Sequence, residues 1–134
     1  MRKVYLDNAA TTRLHDEVFA EMLPYLKDIY GNPSSIHSFG REARKAVEEA
    51  REKTAAALGA EPREIIFTSG ATEANNIAIR GVARALLQKG RHIISTAVEH
   101  HAVLDACKAL EEEGYRVTVL PVDAYGMVSP QDVA

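Results

Sequence analysis

Apolar positions along the chain alternate between helical and extended spacing. Val18, Met22, Tyr25, Leu26 and Ile29 recur at helical intervals, and Pro24 inside that run is placed to kink or shorten the helix. Gly31-Asn32-Pro33-Ser34-Ser35 follows as a loop dense in turn formers. Ala43, Ala46, Val47 and Ala50 then mark one face of a longer helix, extended by Thr54, Ala57 and Leu58 and stopped at Gly59. Glu49 and Lys53 are spaced as a supporting pair on it. Ahead of all this, Val4-Tyr5-Leu6 reads as a short strand entering the small-residue turn Asp7-Asn8-Ala9-Ala10-Thr11-Thr12.

The second half alternates more regularly. A strand over 64–68 precedes a helix over 72–89, with Ile79, Val82, Ala83, Leu86 and Leu87 as its apolar stripe. A strand over 92–96 leads to a helix carrying Val103, Ala106, Cys107 and Leu110 on one face and closed by Gly114. Tyr115 to Val122 is a further strand, rich in β-branched residues. Such alternation predicts an α/β fold of βαβ units around a mainly parallel sheet. From Tyr125 a short strand and then a helix opened by Pro130 are expected. The sequence stops one turn into that helix, so the expectation is a fragment that ends mid-fold. Residues 1–15 read as an amino-terminal segment and 16–134 as part of one larger domain.

Composition narrows the function classes. The 134 residues are 46% apolar and 26% charged, ordinary values for a globular chain. A net charge of −3, with no basic stripe and no Trp, argues against a nucleic-acid partner. No apolar run approaches the roughly 20 residues that span a bilayer, and the first residues do not form a secretory signal. The single cysteine, Cys107, fits a reducing compartment, so a cytoplasmic location is expected.

The densest chemistry lies at Thr68-Ser69-Gly70-Ala71-Thr72-Glu73, between the apolar run Ile65-Ile66-Phe67 and a helix. The first amides of a helix have no partner within it, and its positive dipole end favours an anion. Gly70 allows close approach, Ala71 adds little bulk, and Ser69 and Thr72 offer hydroxyls. A phosphate is the expected guest, although the same turn also reads as a plain helix cap. After the next strand comes Glu99-His100-His101, which offers an imidazole at the end of a strand expected in the same sheet. Adjacent helical residues point about 100° apart, so His100 and His101 do not readily share an ion, and no metal site is expected. His15, His92 and His101 read as surface or satisfied histidines.

Taken in register, four stretches resemble the amino-terminal part of cysteine desulfurases of the NifS/IscS type, within the class V aminotransferases. They are Tyr5 to Thr12, Gly31-Asn32-Pro33-Ser34-Ser35-Ile36-His37, Ile65 to Glu73, and Glu99-His100-His101-Ala102-Val103-Leu104-Asp105. The resemblance implies the large domain of fold-type I pyridoxal-phosphate enzymes, here incomplete. It implies that Gly70, Ala71 and Thr72 bind the phosphate of pyridoxal 5'-phosphate. It implies that His100 stacks on the cofactor ring and moves protons during catalysis. Asn8, Ala9, Thr11, Asn32 and His37 would line the substrate entrance.

The family reaction turns L-cysteine into L-alanine and leaves the sulfur as a protein persulfide, passed on for iron–sulfur cluster or thio-cofactor assembly. The implied partners are L-cysteine, a sulfur acceptor or iron–sulfur scaffold protein, and a second copy in a homodimer. The family's cofactor-linking lysine, ring-pairing aspartate and persulfide cysteine have no counterpart in these residues, so the chain alone is expected to be inactive. Lys89 is expected in solvent, and Cys107 on an apolar helix face. Two other readings stay open: a selenocysteine lyase or other class V aminotransferase, and a non-catalytic or split-subunit scaffold of sulfur transfer.

Overall fold

The computed structural model describes residues 3–133. In order they form α1 (Asp16–Lys27), α2 (Ser38–Leu58), a 3-10 turn (Pro62–Glu64), α3 (Ala71–Ala85), β1 (His92–Thr96), α4 (His101–Glu112), β2 (Arg116–Leu120) and α5 (Pro130–Val133). The chain divides into two compact units, Met1–Ile66 and Phe67–Ala134.

In the first unit, α1 begins with Asp16 and Glu17 and ends with Lys27, matching its dipole. Pro24 lies inside it, and the amides of Asp28 and Ile29 both close on the Pro24 carbonyl, at 2.8 and 2.9 Å. None of its residues is buried, so the predicted apolar face at Val18, Met22 and Leu26 stays exposed. In α2 the covered line runs through Ala43, Val47, Arg51 and Ala55, a four-residue ridge. The expected face drifts off that ridge, which leaves Ala50, Ala57 and Leu58 outside. Arg51 donates to the Ile65 carbonyl from this ridge. Glu49 pairs with Lys45 at 3.6 Å rather than with Lys53, an exposed contact of little energetic weight. Gly59, at φ 67°, takes the left-handed conformation that ends the helix, as predicted.

Three predicted strands are not formed. Val4–Leu6 and 65–68 have no regular structure, and 123–126 is a tight turn. A strand is defined by its pairing, and among the described residues the ladder joins β1 and β2 alone. These apolar runs have the composition of strands but form no part of that ladder. The strand expected over 115–122 is trimmed to β2, and the helix expected over 72–89 ends at Ala85, followed by turns through Gly90.

The second unit carries the βαβ core. β1 and β2 are parallel, in register from His92 opposite Arg116 to Thr96 opposite Leu120, with α4 as the crossover. Ala102, Ala106, Cys107 and Leu110 on α4 are buried together with Ser95, Tyr115 and Leu120. Along α3 and the turn after it, Ile79, Ala83 and Leu87 are partly covered, whereas Val82 and Leu86 remain exposed.

Side chains tie α3 to α4. Arg80 and Arg84 donate to Glu113 Oε1, each at 2.9 Å, and Tyr115 Oη donates to the Ala83 carbonyl at 3.0 Å. The two guanidinium groups, Arg84 foremost, hold the Glu113 carboxyl below its ordinary range. These bonds join the C-terminal ends of two helices that pack on each other, so α3 and α4 run in the same direction.

Leu110 is 0% exposed at the centre of this packing. Leu110→Ala is expected to destabilise the second unit by about 2–5 kcal/mol, through lost transfer energy and a residual cavity. Urea denaturation followed by circular dichroism checks this, and a loss below 1 kcal/mol would mean the site is less tightly packed than its burial indicates.

Candidate cofactor site

The turn entering α3 is held from both sides by side chains. Thr68 Oγ1 donates to the Gly70 carbonyl at 3.2 Å. Glu73 Oε2 accepts from the Ser69 amide at 2.7 Å and from the Ser69 hydroxyl at 2.8 Å. These bonds, the backbone one foremost, hold the Glu73 carboxyl below the usual carboxylate range. The Ser69 hydroxyl, expected as a phosphate donor, is therefore committed inside the protein.

What remains open is the helix end itself. The first amide bonded back along α3 is that of Ala74, to the Gly70 carbonyl at 3.1 Å. The amides of Ala71, Thr72 and Glu73 have no partner among the described residues, as the geometry of a helix start requires. Gly70, Ala71 and Thr72 are all exposed. Gly70 is extended, at φ 163°, and a Cβ there would meet nothing within 4 Å. Its contribution is open space in front of the amides rather than an unusual backbone shape.

His100 occupies the corresponding position on α4. It is the N-cap residue, and its Nδ1 accepts the Ala102 amide at 3.1 Å. A backbone N–H only donates, so Nδ1 carries a lone pair and the neutral ring bears its proton on Nε2. The cap fixes the ring at one edge and leaves the other nitrogen free. The His101 ring stands edge-on to it, with centroids 6.3 Å apart. Because α3 and α4 run in the same direction, Thr72 and His100 sit at the same end of the second unit. The expectation that His100 follows a strand sharing a sheet with 64–68 is corrected in part: β1 does precede it, but among the described residues the sheet holds β1 and β2 and not 64–68.

The other candidates fall in the first unit, and each has a local role. The Asp7 carbonyl accepts the Ala10 and Thr11 amides, which folds Asn8 and Ala9 into an exposed turn. Asn32 Oδ1 accepts the Ser34 amide at 2.9 Å. His37 caps α2, with Nδ1 accepting the Gly40 amide at 3.4 Å. Arg41 and Arg44 strap the loop to the helix through the carbonyls of Ile36 and Pro33, at 2.7 and 3.0 Å. Gly40 is required there, since a Cβ would lie 2.3 Å from the Ser35 carbonyl oxygen.

Lys89 is exposed, as expected. Cys107 is 3% exposed; burial pushes its thiol up, partly offset by a hydrogen bond with Ser95. It is the small buried residue its helix face called for. His15 precedes α1 without a side-chain cap, and His92 Nε2 shares a 2.8 Å hydrogen bond with Thr118 Oγ1. Among the described residues, no three His, Cys, Asp or Glu side chains are grouped as a metal ion requires. No helix among them is long and apolar enough to cross a membrane. Glu73 is the site residue that the sequence reading passed over. Its signal was present, since Ser69 and Glu73 stand one residue further apart than the partners of a capping box.

A parallel βαβ unit with open amides at one helix start and a capping imidazole at the next accompanies a family match over nearly the whole chain. Residues 4–134 match the model of the aminotransferase class-V family, and the chain belongs to that family. More particularly, it is 62% identical over 132 residues to the cysteine desulfurase IscS of Dictyoglomus turgidum, covering 98% of this chain and 34% of that protein. A solved NifS-like protein superposes with a TM-score of 0.87 at 45% identity, covering 98% of this chain and 36% of the other. A structure described as SspA in complex with cysteine gives a TM-score of 0.80 at 42% identity, over 93% of this chain and 36% of the other. The chain thus spans about a third of the length of these relatives.

Asn caps helices as well as any residue but has no imidazole. His100→Asn is therefore expected to keep α4 and leave the melting temperature nearly unchanged, whereas His100→Ala is expected to lower stability by about 1 kcal/mol. Thermal denaturation of the two variants checks this; equal losses would show that the ring, rather than the cap, anchors the helix start.

Proposed function

We propose that the chain forms the amino-terminal third of a pyridoxal-phosphate-dependent cysteine desulfurase. The reading rests on the open amides of Ala71 and Thr72 beside the exposed Thr72 hydroxyl, in a chain so similar to proteins of that name. These donors suit a dianionic phosphate, which gains charge-assisted hydrogen bonds and the favourable helix dipole. Gly70 leaves room beside it, since nothing lies within 4 Å of where its Cβ would be.

In this reading the chain's own residues bind and orient. Ala71 and Thr72 hold the phosphate, and Thr72 adds its hydroxyl as a further donor. His100, fixed by its cap at Nδ1, would stack on the cofactor ring and offer its Nε2–H as a hydrogen-bond donor there. Because Nε2 already carries the hydrogen, the ring takes up a further proton only at Nδ1, after releasing the Ala102 amide. The cofactor, when bound, supplies an electron sink for charge developing on the substrate's α-carbon.

The substrate is L-cysteine, in keeping with the cysteine complex of the SspA relative. Its sulfur passes to a cysteine thiol outside these residues, L-alanine leaves, and the persulfide is delivered to a sulfur acceptor or iron–sulfur scaffold. Asn8, Ala9, Thr11, Asn32 and His37 line the substrate entrance in the same reading. A cytoplasmic homodimer is the proposed working form.

Thr72→Val in the whole enzyme removes one donor to a charged group while keeping side-chain shape. Cofactor affinity is expected to fall roughly tenfold or more, from about 1.5–3 kcal/mol for such a bond. Equilibrium dialysis against pyridoxal 5'-phosphate measures it; an unchanged dissociation constant refutes the assignment. Cys107→Ser is expected to leave turnover near the parent value, because a buried thiol of raised pKa is a poor nucleophile. Abolished persulfide formation in that variant would show that Cys107 carries the sulfur after all.

A further inference from the structure

We propose that Glu73 is the positioning residue of the phosphate turn: its carboxylate takes both donors of Ser69, so that the amides of Ala71 and Thr72 are held open for the cofactor. The inference rests on the pyridoxal-phosphate reading above and sharpens it. It assigns Ser69 and Glu73 to the support of the site and leaves the ligand contacts to the helix start.

Three observations carry it. Both donors of Ser69 converge on one carboxylate oxygen, at 2.7 and 2.8 Å, so the backbone amide and the side chain of the residue before Gly70 are both held by charge-assisted bonds. Gly70 by itself is conformationally loose, and nothing lies within 4 Å of where its Cβ would be. Without Glu73 the turn would retain the Thr68 hydroxyl bond at 3.2 Å as its other side-chain restraint. Finally, Glu73 reaches back to Ser69 rather than to the helix amides, so it does not occupy the donors that the anion needs.

A carboxylate in the first turn has two opposing effects on an incoming phosphate. Its negative charge repels the dianion, while its bonds to Ser69 order the donors in advance. Glu73 is fully exposed, so water and salt screen the repulsion. The ordering survives screening because it acts through short bonds. Positioning therefore outweighs repulsion, and this fixes the sign of the effect: removing Glu73 weakens phosphate binding.

The test uses the whole enzyme and two probes, pyridoxal 5'-phosphate and pyridoxal, which differ by the phosphate alone. Glu73→Ala is expected to raise the dissociation constant for the phosphorylated probe roughly tenfold, with that for pyridoxal nearly unchanged. Glu73→Gln is expected to restore most of the affinity, since its carbonyl oxygen accepts the same two donors. Ser69→Ala is expected to weaken binding too, and combining it with Glu73→Ala is expected to add little, as for two residues acting through one contact.

Tighter binding of the phosphorylated probe by Glu73→Ala would show that repulsion dominates and overturn the proposal. Equal loss for both probes would reduce Glu73 to general stability, and full additivity with Ser69→Ala would make Ser69 a direct ligand; either result overturns it. If Thr72→Val leaves binding intact as well, the phosphate reading itself fails. If Thr72→Val weakens binding and both Glu73 variants do not, the positioning role alone fails.

Discussion

A helix cannot pair its own first amides, and the second unit resolves that constraint differently at its two main helices. At α4 the His100 ring closes the gap by accepting the Ala102 amide. At α3 the first three amides stay open, while the acidic side chain of that turn reaches back to Ser69. Among the described residues, one helix start leaves the His101 amide alone open and the other leaves three. The proposed chemistry follows from that asymmetry: an anion completes α3, and a ring held at one edge by α4 has its remaining surface free.

The packing beneath serves this arrangement. Leu110, Cys107, Ala106 and Ala102 seat α4 with the β1 and β2 residues Ser95 and Leu120 and with Tyr115. Arg80, Arg84 and Tyr115 bind the far ends of α3 and α4 together. The bonds at one end of the unit thus set the direction of both helices, and the direction brings Thr72 and His100 to a common end. Cys107, chemically the most conspicuous side chain in the sequence, has a packing role instead.

Much of this was legible in the residues. β1 was read with its observed bounds, α4 was read from the spacing of Ala106, Cys107 and Leu110, and Gly59 and Gly114 marked helix ends correctly. The strand readings at 4–6, 64–68 and around 125 went astray for one reason. Composition records whether a segment suits a ladder, not whether a ladder forms. The turn at 68–73 was read as an anion cradle, but the engagement of Ser69 by Glu73 within it was not foreseen. Ser69 and Thr72 are both small hydroxyl residues next to Gly70 and Ala71, and only coordinates show that one hydroxyl is already engaged. Likewise Arg51, a charged residue, lies on the covered ridge of α2 because its guanidinium reaches a carbonyl fourteen residues away, which no periodicity records.

The contacts that close the second unit share one property with a bearing on its assembly. The bonds from Arg80 and Arg84 to Glu113, from Tyr115 to Ala83 and between His92 and Thr118 span 33, 29, 32 and 26 residues. Loop-closure entropy depends weakly on length, so these contacts carry nearly the same cost, and the first to form brings the others within reach. They should therefore appear together, in a single step. During synthesis, α3 leaves the ribosome about thirty residues before its partners, so its orientation is settled only when the stretch from Glu113 to Thr118 has emerged.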